Sequence, residues 1–143
     1  MLTLLALASF AGCNAYCNRR VFEQVEPTCD QTIANDVDID ATEAWTATTG
    51  TPQTIVAVID TGIDLKHPDL VSKIWTNKGE IPGNGIDDDR DGQVDDVHGW
   101  NFVNNTGNVQ DDNGHGTHVS GTIAAAGNNS VGVVGVNWNA QIM

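Results

Sequence analysis

The chain has 143 residues, 40% of them apolar and 17% charged, a globular composition that excludes the disordered and collagen-like classes. Six Lys and Arg against 19 Asp and Glu give a formal net charge of −13, which excludes nucleic-acid binding through phosphate neutralisation. An acid excess of this size is either spread over the surface or gathered into sites that hold cations.

The first 13 residues read as an export leader. Leu2 to Ala11 is mostly apolar, too short to span a bilayer and suited to the apolar core of a secretory signal. Ser9-Phe10-Ala11-Gly12-Cys13 resembles a bacterial lipoprotein processing site, where the Cys becomes a lipidated first residue. The expectation is a secreted or cell-envelope protein, with membrane attachment open through a lipidated Cys13. The cysteine count is three, so lipidation of Cys13 leaves Cys17 and Cys29 free to pair. Residues 14–38 have no clear period and read as a linker. Residues 39–143 carry the fold.

Asp40 and Glu43 have the spacing of a capping box, which predicts a short helix carrying Trp45 and stopped near Gly50. Thr54 to Ile59 is a β-branched apolar run, the pattern of a parallel strand buried on both faces. Residues 76–98 are rich in Gly, Asn and Asp and form a long loop, a length that implies a function or an internal staple. Trp100 to Val103 predicts a short strand, His115 to Ala126 a helix with a small-residue face, and Val133 to Val136 a further strand. Strand, helix, strand in this order is βαβ logic, so the fold class is α/β with a parallel sheet.

The long loop contains its own signal. Asp87, Asp89, Asp91 and Gly92 follow the start of an EF-hand-like calcium loop, in which alternate carboxylates converge on one cation and Gly permits the sharp turn. The backbone carbonyl of Gln93 is a further candidate ligand. His98 stands where such a loop carries its bidentate Glu, so Asp95 or Asp96 has to close the site.

Two residues point to catalysis. Asp60 follows the buried strand directly, at the carboxyl end where open α/β sheets place their ligand sites. His115 opens the small-residue helix. An Asp that orients a His is the supporting half of a nucleophilic triad.

The flanks of both residues carry a resemblance. Val58-Ile59-Asp60-Thr61-Gly62-Ile63-Asp64 with His67-Pro68-Asp69-Leu70 is similar to the block around the catalytic Asp of subtilisin-like serine proteases. Asn113-Gly114-His115-Gly116-Thr117-His118-Val119-Ser120-Gly121-Thr122-Ile123-Ala124 resembles the block around their catalytic His. The resemblance runs over roughly residues 40–143, and Asp before His is the family's chain order. It implies a three-layer subtilisin-like α/β fold with a mainly parallel sheet, incomplete in this chain. It implies that Asp60 orients and charge-stabilises the imidazole, and that His115 serves as general base and then general acid. Gly116 and Thr117 then let the helix start approach the strand end, Asp64 stabilises its loop, and His118 packs structurally.

The serine nucleophile of the family opens a later helix in a Gly-Thr-Ser block. The serines here are Ser9, Ser72, Ser120 and Ser130, and none lies in such a block. The expectation is an N-terminal part of the catalytic domain, truncated before the nucleophile and inactive alone, whose complete form cleaves polypeptide substrates. The resemblance also implies a calcium site from Asp69, Asn129 and the carbonyls of Val131 and Val133. A weaker one is implied at Asn101, Asn104, Thr106 and Gln110. Zinc at His115 and His118 lacks the accompanying Glu and a third ligand. The competing reading is a non-catalytic extracellular calcium-binding module of the same fold.

Overall fold

The computed structural model describes residues 39–143. The leader, the linker, Cys13 and the Cys17–Cys29 pair lie outside the described residues. No helix among the described residues is long and apolar enough to cross a membrane.

Helix α1 spans Ala41–Ala47. Its start differs from the expected capping box. Asp40 takes a left-handed backbone (φ 51°) and makes no side-chain cap hydrogen bond, while Thr42 rather than Asp40 donates to the Glu43 carboxylate, at 2.8 Å. Tertiary contact fixes α1 instead of its cap. The Trp45 indole N–H donates to the Val136 carbonyl at 2.8 Å, and the ring packs against Trp138 with centroids 5.0 Å apart.

Strand β1 is Ile55–Val56 and strand β2 is Gln141–Ile142, and they pair in parallel. The ladder extends beyond both, since Gln141 N–H donates to Thr54 O, Met143 N–H to Val56 O and Val58 N–H to Met143 O. On its other side β2 meets the segment around Ile74, where Ile142 N–H reaches Lys73 O and Trp75 N–H reaches Ile142 O. β2 is therefore the middle of three parallel segments. The expectation that Thr54 to Ile59 is buried throughout fails: Thr54 to Val58 are half-buried and the end is open. Ile59 is 88% exposed, because the ladder among the described residues stops at Val58.

Helix α2 spans His115–Ala124 and lies between β1 and β2 in sequence, so the βαβ order holds. Val133 to Val136 is not a strand. A helix end leaves its last carbonyls without intrahelical partners, and this segment serves them. Gly135 N–H donates to Ala125 O, Val136 N–H to Thr122 O and Asn137 N–H to Ile123 O. Trp100 to Val103 is likewise no strand. Asn101 and Thr106 form one antiparallel bridge around a turn, with Phe102 and Val103 exposed on it.

The core beneath the sheet consists of Ile63, Leu70, Ala124, Ala125, Ala140 and Ile142. Leu70 and Ile142 are essentially sealed from water, and each contributes about 1.5–3 kcal/mol by burial. This core clamps α2 to the strand that leads into Asp60.

Candidate active site

β1 and its continuation deliver Asp60, and α2 begins at His115. The two side chains meet although 55 residues separate them. His115 Nδ1 lies 2.8 Å from Asp60 Oδ1 and 2.9 Å from Oδ2. An ionised carboxylate can only accept, so Nδ1 carries a proton, and in the neutral imidazole Nε2 is the acceptor. The His115 side chain is 64% exposed and that of Asp60 17%. The imidazole is thus open to an incoming molecule while its carboxylate is shielded. The His115 hydrogen bond, helped by the Thr61 N–H at 2.7 Å, holds the Asp60 carboxyl below its ordinary range against the opposing effect of desolvation.

The close approach of helix and strand needs Gly116. A Cβ there would press into the Gly62 carbonyl oxygen and stand 3.0 Å from Gly62 N. Thr117 contributes through its hydroxyl, which accepts from Asp64 N–H at 2.9 Å and donates to Asp111 at 2.6 Å. Asp64 accepts from Lys66 N–H at 3.0 Å. His118 is exposed instead of packed, and with His67, Asp69 and Gly121 it lines a cleft of about 290 Å³ beside the helix.

Asp111 is a residue that sequence reasoning passed over. Its carboxylate accepts from Thr61 Oγ1 (2.9 Å), Asn113 N (3.0 Å), Gly114 N (2.9 Å), Thr117 N (2.9 Å) and Thr117 Oγ1. Burial pushes this carboxyl up, but the Thr117, Gly114 and Asn113 donors outweigh it and hold it well below the usual carboxylate range. The acidic pair before Asn113-Gly114-His115 was the available signal.

The acidic loop turns at Gly92 as its spacing suggests, but Asp87 and Asp91 fall in different sets of carboxylates. Gly92 has φ 99°, Asp87 accepts from the Asp91 and Gly92 N–H groups, and Asp91 accepts from Gln93 N–H. Two sets of carboxylate oxygens converge within 4.8 Å: Glu80 with Asp87 and Asp89, and Asp89 with Asp91 and Asp96. Glu80 was not anticipated. It is 6% exposed and accepts from the N–H groups of Asp88, Asp89 and Asp95. Asp95 belongs to neither set and accepts from Gly83, Asn84 and Gly85. Burial, together with Asp91, Asp89 and Glu80 nearby, pushes the Asp96 carboxyl up, against a hydrogen bond from Asn77.

The other expected ligands divide. Asp69 is fully buried beside Asn129 and Val133, but it meets donors: Asn129 Nδ2 at 2.6 Å and Val133 N–H at 2.8 Å. Asn129 Oδ1 accepts from Val131 N–H. Asn101 accepts from Val103 and Asn104 N–H and pairs with Thr106, whereas the Gln110 amide turns towards Asp64 and the Asp111 carbonyl.

Comparison with known proteins decides the family. The model of the subtilase family matches residues 51–143. The chain belongs to the subtilase family. It is 57% identical over 91 residues to subtilisin-like protease 1 of Plasmodium falciparum (isolate 3D7), a match covering 63% of this chain and 13% of that protein. It is 49% identical over 106 residues to subtilisin-like protease 1 of Plasmodium berghei (strain Anka), covering 73% and 18%. It is 36% identical over 105 residues to thermitase of Thermoactinomyces vulgaris, covering 73% and 29%. The chain thus spans less than a third of these relatives. As a subtilase it has an α/β fold, of which the small parallel sheet and two helices seen here are a part.

Proposed function

We propose that this subtilase chain supplies the Asp and His of an Asp–His–Ser endopeptidase acting on polypeptides. The observation that carries the reading is the bond from His115 Nδ1 to both Asp60 oxygens, with the ring exposed. Asp60 fixes the tautomer and ring orientation and stabilises the imidazolium when it forms. Nε2 then takes the proton of a serine as its oxygen attacks the scissile carbonyl, and returns it to the leaving amine. The nucleophile is assigned to a serine outside these 143 residues, in the remainder of a three-layer domain. Ser120 is unsuited, being sealed within α2.

Calcium is the structural cofactor in this reading. Glu80 and Asp96, both buried carboxylates, the half-buried Asp87 and the exposed Asp89 and Asp91 fit a cation, because mutually repelling carboxylates gain a common counter-charge. Gln93 keeps its assignment as a carbonyl ligand. The ion supplies charge neutralisation and a cross-link for a long loop. The Asp69 cluster fits less well, since donors already face its oxygens. The apolar run before Cys13 supports export to the cell surface or medium.

Full-length protein is expected to react with a fluorophosphonate serine probe, and His115→Ala to abolish the labelling. A wild-type protein that cleaves no protein substrate and takes no label, yet melts higher with calcium, establishes the calcium-binding module instead.

A further inference from the structure

Asp111 touches neither ring nor carboxylate of the Asp60–His115 pair, yet it is bonded to the segments that carry both. On one side it accepts from the hydroxyl of Thr61, the residue after Asp60. On the other it accepts from Gly114 N, the residue before His115, and from the N–H and hydroxyl of Thr117 in the first turn of α2. Thr61 Oγ1 closes the ring of contacts by accepting from Gly116 N–H at 3.0 Å. The start of α2 has no cap from its own preceding residue, since Gly114 has no side chain and φ 96°. A carboxylate beside the first free N–H groups of a helix is favoured there by hydrogen bonding and by the helix dipole together.

We propose that Asp111 is a positioning residue, which sets the register between the strand end bearing Asp60 and the helix start bearing His115. Gly116 permits the approach, Thr61 and Asp111 tie it, and the Asp60–His115 bond is the product. Five donors converge on one carboxylate, which an amide cannot replace, because Asn offers one acceptor oxygen and turns two donors towards donors. The kinetic part of this inference rests on the endopeptidase reading above, and the geometric part does not.

The test is an NMR measurement on full-length, 15N-histidine-labelled protein. The Nδ1–H proton shared with Asp60 gives a low-field resonance, assigned by its loss in Asp60→Asn. Asp111→Asn is expected to shift or abolish that resonance while the amide spectrum stays folded. Should Asp111→Asn fail to fold, Thr61→Val against Thr61→Ser decides. The Val variant removes the tie and perturbs the resonance, and the Ser variant restores it. A folded Asp111→Asn, or Thr61→Val, with the wild-type resonance overturns the proposal, whatever the enzyme's activity. Where wild-type protein cleaves peptides, the same variants are expected to lower kcat about 100-fold with KM unchanged, the cost of a misplaced base. Unchanged kcat in those variants overturns it equally. Absence of wild-type cleavage would sink only the endopeptidase reading, and the resonance still judges Asp111.

Discussion

Replacing Gly116 by Ala separates close packing from helix propensity. In a helix interior Ala is favoured over Gly by about 0.8–1.0 kcal/mol. At Gly116 the new methyl would press on the Gly62 carbonyl and stand 3.0 Å from Gly62 N and 3.1 Å from Gly62 C, all backbone atoms with no rotamer to yield. Overpacking of this kind costs about 1–3 kcal/mol. The net expectation is a loss of about 0–2 kcal/mol. Gly121 is the internal control, because it lies in the same helix and its added methyl would meet only Val133 Cγ2, at 3.8 Å. Gly121→Ala should stabilise by up to about 0.8 kcal/mol. Urea unfolding midpoints of the two variants, at unchanged m, measure the difference. Gly116→Ala should also move His115 off Asp60, and a displacement of about 1 Å costs about 100-fold in turnover where the enzyme is active. If Gly116→Ala proves as stable as Gly121→Ala, the close contact of helix and strand does not constrain the site and the reasoning is wrong.

Asp60→Asn should lower kcat by about 10⁴-fold, the size of this change in serine-protease triads, read from initial rates of peptide cleavage. Calcium at about 100 times its dissociation constant should add about 2.7 kcal/mol of stability, seen as a higher melting temperature. Asp96→Asn should raise the melting temperature in chelator and remove most of the calcium response, and an undiminished response would discard Asp96 as a ligand. Asp60 and Asp111 both titrate below the ordinary carboxylate value of 3.8, so their stabilisation is complete above that pH and is lost as pH falls through their lower folded values. Asp111→Asn should therefore melt below wild type at neutral pH and converge with it in acid, and melting curves across that range follow the effect.

The Asp60–His115 pair was legible because local patterns set both members. A β-branched run ends at Asp60, a small-residue helix begins at His115, and the helix ends within two residues of the boundary read from sequence. Partners chosen by the tertiary path were not legible. Asp111 reads as one acid in a polar loop until Thr61 and the start of α2 fold onto it. Glu80 stands apart from the Asp87–Asp96 run, and only the returning chain puts it among those carboxylates. Asp95 lies within that run but is drawn to the N–H groups of Gly83, Asn84 and Gly85. Val133 to Val136 has strand composition, but the open carbonyls at the end of α2 claim its donors.

The middle position of β2 bears on how the chain is made. Ile55 waits for Gln141, and Ile74 waits for Ile142, so among the described residues neither flanking segment has a parallel partner until β2 has been synthesised. Leu70 likewise lacks its large core companion until Ile142 is present. Contacts this distant in sequence form slowly and leave apolar surface open in the meantime. A nascent chain halted just before β2 is thus expected to hold the Asp60 and His115 segments without a sheet to fix them. Protease sensitivity of ribosome-arrested chains, falling once β2 has left the exit tunnel, is the corresponding signature. In this chain the sheet that holds the Asp60 and His115 segments is expected late in synthesis because its middle strand is.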